Sequence, residues 1–337
     1  MSVVLAYKNF AANRNISHIG LGVAAINTAK VLRRAGTKAD VWPIINSADL
    51  RKRLLAAPAR QVIISAPWIP AVEMQALSID FPEIHFSVNC HSNVGFLQAD
   101  RNGVKLVREM MELTMGTHNV HLAGNSRRFC RWVEEAFGAP CVFLPNLYWL
   151  EDGITARNTS FSGDVLRMGA LGATRPLKNL MSAAGAALEI SRNLRVPLEL
   201  WLSAGRAEGG GETVLAAVQE MLSGLPHVKL VMNGWQSWPK FRRVVGHMHM
   251  LLQPSYTESF NMVTADGVAE GVPSVVSKAI DWAPHHWKAD VDDVLDIARV
   301  GRALLHDRRA AHDGLRALQA YVDDGLSAYT HYFAATR

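Results

Sequence analysis

The stretch Pro254-Ser-Tyr-Thr-Glu258-Ser-Phe-Asn-Met-Val-Thr-Ala-Asp266-Gly-Val-Ala-Glu-Gly271-Val-Pro273-Ser-Val-Val governs the reading of the whole chain. It leaves the apolar run Met250–Gln253 and enters the apolar run 274–277, with helical character over 262–270 between them. Strand, loop, helix and strand in so short a span make one unit of a parallel sheet with helical crossovers. Ligands of such sheets gather at the carboxyl ends of the strands. Glu258 lies in the loop that opens the helix, at such an end. Asp266 follows eight residues later, about two turns on at 3.6 residues per turn, on one side of the helix though not in one row. Ser259, Phe260, Asn261 and Met262 span the helix start, where backbone N–H groups without helical partners meet an anion or a hydroxyl. From these acids alone, a capping Glu and a solvent-facing Asp are the plainer reading, because helix N-termini favour acids.

The same alternation runs outward in both directions. Upstream, strands are expected at 165–170, Leu198–Ser203 and 228–232, with helices at 180–192, 213–222 and 238–245. A Gly-rich loop, Gly209 to Gly211, precedes the second of these helices. Downstream, helices follow from Val291, with an amphipathic stretch through Tyr329. The first half repeats the pattern. Strands are expected at 3–7, 38–43, 61–66, 84–90, 120–123 and 141–144, and helices at 21–35, 104–115 and 126–136, the first stopping near Gly36 and the last ended by Gly138. Residues 150–161, with Asp152-Gly153 and Asn158-Thr159-Ser160, have a linker's polarity. The fold class is therefore α/β, with two Rossmann-like domains facing across a cleft lined by the loops after each strand. The divisions fall at 1–150, 151–320 and a terminal helix at 321–337 that crosses back to the first domain.

At 337 residues the chain is long enough for two domains of roughly 150 residues each. It is 49% hydrophobic and 19% charged, and no apolar run reaches the roughly 18 residues a membrane span needs. Met1 to Ala6 reads as a first strand rather than a signal peptide. Cys90, Cys130 and Cys141 are odd in number and far apart, which argues against a disulfide framework or zinc site and for a reducing, cytoplasmic compartment. The net charge of +5 is unevenly spread: residues 1–150 hold 16 Lys and Arg against 10 Asp and Glu, the remainder 19 against 20. Arg33, Arg34 and Lys38, then Arg51, Lys52 and Arg53, then Arg127, Arg128 and Arg131 form basic clusters. They are either solvated helix faces or a surface for an anionic partner such as nucleic acid or acidic lipid.

The pattern Pro-Ser-x-x-Glu-Ser-Phe, an acid eight residues after the Glu, and Gly-x-Pro before an apolar strand resembles the retaining glycosyltransferases of family four. That resemblance, strong over about 160–280 and looser over 1–150, implies the GT-B fold and a sugar transferred from a nucleotide-sugar, which is a co-substrate rather than a cofactor. It implies that Glu258 contacts the donor sugar and Asp266 the ribose, although the family usually has Glu at the second position. A second match is Val165-Leu-Arg-Met-Gly169-Ala-Leu-Gly172-Ala-Thr-Arg175-Pro-Leu-Lys178-Asn179. Fixed cations stabilise a departing diphosphate as its charge grows, and the family holds it with an Arg and a Lys in this loop. Its Arg usually follows the loop Gly directly; here Ala173 stands there, and Arg175 takes the role beside Lys178.

In the first half, His18-Ile-Gly20-Leu-Gly22 resembles the family's Gly-rich loop in outline, and two glycines let a backbone approach phosphate or acceptor closely. The family places a His after the strand at 84–90, near the donor sugar, and His91 stands there. Ser126 and Asn146 resemble landmarks that shape the fold and hinge. The loop Asn233-Gly234-Trp235 corresponds to one that passes beside the nucleobase; Trp235 stacks there or is simply packed. No Asp-x-Asp motif stands in a convincing place, in keeping with a metal-independent site. The first domain binds the acceptor in this architecture. Its positive balance fits a hydroxymethylated base in DNA, with Arg51, Lys52, Arg53, Arg127, Arg128 and Arg131 on phosphates; an anionic lipid or another glycan is the alternative acceptor. An inactive sugar-nucleotide-binding protein and an epimerase on the same fold are the readings of other classes.

Overall fold

The structure is a computed structural model that describes residues 2–9, 18–152, 154 and 161–336. It divides into two compact units, Met1–Trp149 with Val322–Arg337, and Leu150–Tyr321. Gly153 and residues 155–160 of the expected linker lie outside the described residues.

The first unit runs β1 (Ser2–Lys8), α1 (His18–Arg34), β2 (Lys38–Ile44), α2 (Ser47–Ala56), β3 (Gln61–Ser65), α3 (Ala71–Asp80), β4 (His85–Cys90), a single turn α4 (Val94–Leu97), α5 (Arg101–Gly116), β5 (Val120–Gly124), α6 (Arg127–Phe137) and β6 (Val142–Phe143). Its six strands are parallel, in the order β2-β1-β3-β4-β5-β6. Every residue of β3 is buried, and so is all of β4 after His85. Strands covered on both faces read as continuous apolar runs, which is why 61–66 and 84–90 stand out in the sequence. Val62, Ile64, Phe86, Val88 and Leu122 form the middle of the core. α6 ends at Gly138, in the left-handed conformation that glycine adopts without strain.

The second unit continues with β7 (Leu166–Ala170), α7 (Leu180–Leu194), β8 (Leu198–Ser203), α8 (Gly211–Leu222), β9 (Val228–Asn233), α9 (Trp238–Gly246), β10 (Met250–Gln253), α10 (Met262–Ala269), β11 (Ser274–Val276) and α11 (Val294–His306). Its five strands are also parallel, in the order β11-β10-β7-β8-β9. On α7, Ala183, Ala184, Ala186, Ala187 and Ile190 are all buried. That alanine face lets helices come close, and Gly185 faces Val294 of α11 where a Cβ would stand 3.2 Å away.

The last helix, α12 (Ala310–Ala335), begins in the second unit, and its residues from Val322 belong to the first. There Ser87 Oγ donates to Tyr332 Oη at 2.6 Å, and Gln61 Nε2 donates to Thr336 Oγ1 at 2.7 Å. Both strand residues are fully buried polar groups, so the end of the chain supplies partners that the sheet needs. Three helices were not anticipated, among them the single turn α4. α2 buries only Leu50 and Leu54, a two-residue stripe too thin to register as periodicity. α3 starts directly after Pro70 and buries only Met74, Leu77 and Ser78.

Candidate active site

The order of the second sheet places its candidate site. From β7 the chain adds β8 and β9 on one side, then returns to add β10 and β11 on the other. The loops after β7 and β10 therefore leave neighbouring strand ends in opposite directions, and the crevice between them is where open parallel sheets bind ligands. Lys178 is the last residue of a 3-10 turn, Pro176–Lys178, in the first loop. Glu258 is in the second. Lys178 Nζ pairs with Glu258 Oε1, with the two side chains 17% and 13% exposed.

The supporting groups tie the two loops together. Asn261 Nδ2 donates to Glu258 Oε1 and to Gln253 Oε1, both at 3.1 Å. Gln253 Nε2 donates to the Leu171 carbonyl at 3.0 Å. The Tyr256 N–H donates to the Leu177 carbonyl at 2.9 Å. Asn179 Nδ2 reaches the carbonyls of Pro254 at 3.2 Å and Val291 at 2.8 Å. Asn179 and Asn261 both have positive φ, +57° and +65°, a conformation that asparagine tolerates better than most residues. Asn261 Oδ1 also accepts from the Thr264 N–H at 2.9 Å and so caps α10. The capping role that the acids alone suggested for Glu258 thus belongs to Asn261. Glu258 stands four residues ahead of the helix, and the eight-residue spacing to Asp266 is not two turns of one helix.

Asp266 lies in the second turn of α10, 2% exposed. Its Oδ1 accepts from the indole N–H of Trp238, at the start of α9, at 3.0 Å. It faces a neighbouring helix rather than water. Phe260 is buried too, with its ring 5.7 Å from Trp282 and 5.4 Å from Tyr321. The Trp282 indole donates to the Phe260 carbonyl at 2.7 Å. The Phe260 side chain anchors the loop in the core, while Ser259 and Met262 are half-buried beside it.

Arg175 closes the β7 loop from the other side. Its Nε donates to Glu208 Oε2 at 2.6 Å, and Arg206 pairs with the other oxygen of the same carboxylate. Burial alone would push the Glu208 carboxyl up; the Arg175 and Arg206 guanidiniums outweigh it and hold it below the usual range. The backbone supports this clasp. The Thr174 N–H donates to the Arg206 carbonyl and the Glu208 N–H to the Thr174 carbonyl, both at 2.9 Å. A Cβ at Gly211 would collide with the Thr174 carbonyl, so glycine is required where the Gly-rich loop presses on the β7 loop. Arg206 and Glu208 escaped the sequence reading. The available signal was an Arg-x-Glu just past the carboxyl end of β8. Beyond them, Trp235 is 48% exposed with the Arg206 guanidinium 5.9 Å from its ring. A Cβ at Gly205 would meet the Trp235 backbone, so the loops after β8 and β9 touch there, and Gly234 lies open beside them.

In the first unit, His91 follows β4, and the Asn125 amide Nδ2 lies 3.4 Å from its Nδ1. Desolvation lowers its pKa to about 4, so the ring is neutral at neutral pH and acts by hydrogen bonding. Gly20 and Gly22 stand inside α1 rather than in a loop. A Cβ at Gly22 would come within 3.1 Å of the Tyr7 ring, which gives this glycine a packing duty. Among the cations assigned to an acceptor surface, Arg51 pairs with Asp80, Arg53 with Asp49 at 3.2 Å and Arg127 with Asp324 at 2.7 Å. Among the described residues one His/Asp group has ligand atoms close together, His286, Asp307 and Asp313. It stands on other elements than the crevice loops. No described helix is long and apolar enough to cross a membrane.

No protein-family model and no curated protein match the chain. Solved structures do. Sucrose-phosphate synthase from Thermosynechococcus elongatus is 12% identical with a TM-score of 0.69, over 98% of this chain and 99% of that one. Anabaena HepE, solved in complex with UDP, is 13% identical with a TM-score of 0.62, over 100% and 99%. A Staphylococcus aureus TarM structure containing UDP is 11% identical with a TM-score of 0.62, over 86% of this chain and only 59% of that one. The protein has the GT-B fold, two Rossmann-like α/β domains, which is the architecture these glycosyltransferases share.

Proposed function

We propose that the protein is a glycosyltransferase that takes a sugar from a nucleoside-diphosphate sugar and retains its configuration. The observation that carries this reading is the pairing of Lys178 with Glu258 across the β7/β10 crevice, where a parallel sheet binds its ligand. UDP in the TarM and HepE structures supports a uracil nucleotide as the first donor to test. In this reading Lys178 and Arg175 face the diphosphate and stabilise the charge that grows as the sugar–phosphate bond breaks, without calling on a metal ion. Glu258, released from Lys178, takes hydroxyls of the donor sugar, and Asp266 lies toward the ribose. Trp235 and Arg206 flank the base. His91, neutral, offers a hydrogen bond rather than a charge. The acceptor oxygen bonds to the anomeric carbon on the face from which the diphosphate leaves, and its proton goes to the departing phosphate oxygen.

A screen of nucleotide-sugars by thermal shift tests the reading. A ligand at about 100 times its dissociation constant adds roughly 2.7 kcal/mol, which a melting curve resolves. Slow hydrolysis of the stabilising donor separates an enzyme from an inactive sugar-nucleotide-binding protein. Failure of every nucleotide and nucleotide-sugar to stabilise the protein would remove the basis for the proposal. For the acceptor, the positive balance of residues 1–150 supports a hydroxymethylated base in DNA. Arg127, Arg128 and Arg131 are all exposed at the start of α6.

A further inference from the structure

Helix α9 and its C-cap residue carry a row of basic side chains that the donor site does not use. Lys240, Arg243 and His247 stand at i, i+3 and i+7, so they share one face and span about 10 Å at 1.5 Å per residue. All three are exposed. They line an open groove of about 540 Å³ with Gln236, Val244 and Trp201. Trp201 comes from the middle of β8, and its partly open indole supplies an aromatic surface within the groove. The His247 ring stands edge-on to it, with centroids 6.2 Å apart.

Several other cations of this unit are paired. Arg175 and Arg206 pair with Glu208, Arg242 with Glu270, Arg299 with Asp296, and Lys229 with Glu199. Among the described residues, Lys240 and Arg243 have no hydrogen bond or ion pair. The nearby acid is already committed: Glu199 Oε1 accepts the Trp201 indole N–H at 2.8 Å, and Lys229 lies 3.6 Å from Oε2. The groove therefore presents uncompensated positive charge beside an indole.

We propose that this groove binds an acidic saccharide, a sugar chain bearing carboxylate, sulfate or phosphate groups at intervals. An indole face stacks on the C–H face of a sugar ring. The Gln236 amide, whose Nε2 also donates to Asn233 Oδ1 at 2.9 Å, can hydrogen-bond a hydroxyl. The cations are strung out along the helix, not converged on one point. A diphosphate calls for groups that converge on one point, and these lining groups do not. Side chains at i and i+3 leave the helix with their Cβ atoms about 5–6 Å apart, so the row can meet charges spaced along a chain rather than at one point. This site is separate from the β7/β10 crevice in both residues and ligand, and stands whether or not the donor reading does.

The test is calorimetric titration of the full chain with a hexamer of galacturonic acid, with neutral maltohexaose as the control. The acidic hexamer should bind and maltohexaose should not. Lys240→Ser/Arg243→Ser, changes at exposed side chains, should weaken binding about tenfold or more, because two charge-assisted hydrogen bonds are lost. Lys105→Ser/Arg108→Ser, exposed on α5 in the first unit, should leave it unchanged, and UDP affinity should be the same in all variants. No binding of the hexamer, equal binding of maltohexaose, or an unchanged affinity in Lys240→Ser/Arg243→Ser would overturn the proposal. So would loss of UDP binding in that variant, because the groove would then belong to the donor site. Failure of UDP to bind any variant, with hexamer binding intact, would sink the donor assignment and leave this one standing.

Discussion

The ammonium of Lys178 and the carboxylate of Glu258 are both largely withdrawn from water, and each is costly to leave without the other. A ligand that separates them must replace what each gives up, which a diphosphate does for the lysine and sugar hydroxyls do for the glutamate. Lys178→Ala should therefore reduce turnover by about two to three orders of magnitude at saturating donor, the usual loss for one group that meets transition-state charge. Glu258→Ala should abolish transfer in a protein that still folds. A thermal melt adds a control on the pairing itself: Lys178→Ala leaves the carboxylate without its cation, so it should melt below Lys178→Ala/Glu258→Gln. Turnover near the wild-type rate in either single variant would refute the assignment. Both residues were picked out through the resemblance that their motifs carry, Pro-Ser-x-x-Glu-Ser-Phe after one apolar strand and the Gly-containing loop after another. Glu208 and Arg206 were not. Only the fold shows that the loop after β8 lies against Thr174, and an Arg and a Glu before three glycines otherwise read as solvated loop.

Asn261 joins a residue to an element, since one side chain both caps α10 and holds Glu258. Losing an N-cap side chain costs about 1 kcal/mol, and alanine at a positive φ adds on the order of 1 kcal/mol more. Asn261→Ala should thus lower stability by about 2 kcal/mol, read as a shifted urea midpoint with unchanged slope, and weaken donor binding as well. A stability loss with donor affinity intact would show that the cap and the site are uncoupled. A second element-level effect involves β4, β5 and the end of α12. His85 Nδ1 lies 3.0 Å from His121 Nε2, and the His121 ring meets Tyr332 edge-on. Burial, and then the neighbouring His85 and His118, lower the His121 pKa to about 4. The unfolded chain titrates near 6.5, so it binds more protons than the folded one between pH 6.5 and 4. Stability from this group is complete above 6.5 and is lost as pH falls toward 4. The melting temperature should drop across that window, and His121→Phe should make the drop shallower. An identical slope in the variant would place the effect elsewhere. The strands themselves were readable because burial on both faces leaves continuous apolar runs. α2 was not, because two leucines on a polar helix leave no clear period.

At the scale of the whole chain, the basic balance lies in residues 1–150 while the remainder is close to neutral. Composition counts charges but does not show where their partners lie. Arg51, Arg53 and Arg127 are each held by an aspartate, and two of those aspartates, Asp80 and Asp324, are distant from their partners in sequence. The surface that a DNA acceptor would meet is thus less positive than a count of arginines suggests. This sets the size of the salt effect. Each phosphate neutralised on duplex DNA contributes a slope of about −0.9 in log affinity against log salt. If Lys52 and Arg131 each meet one phosphate, the slope is about −2; with all six cations of the two clusters engaged it is about −5. A DNA-binding titration between 50 and 200 mM salt, a range over which such slopes are readily separated, should give the smaller value. It should also become shallower by about one in Arg131→Ser. A slope near −5 would mean that DNA displaces the aspartates, and their replacement by asparagine would then raise affinity at every salt concentration. Binding to acidic liposomes with no DNA affinity at low salt would move the acceptor to a lipid, because the same cations serve an anionic membrane surface.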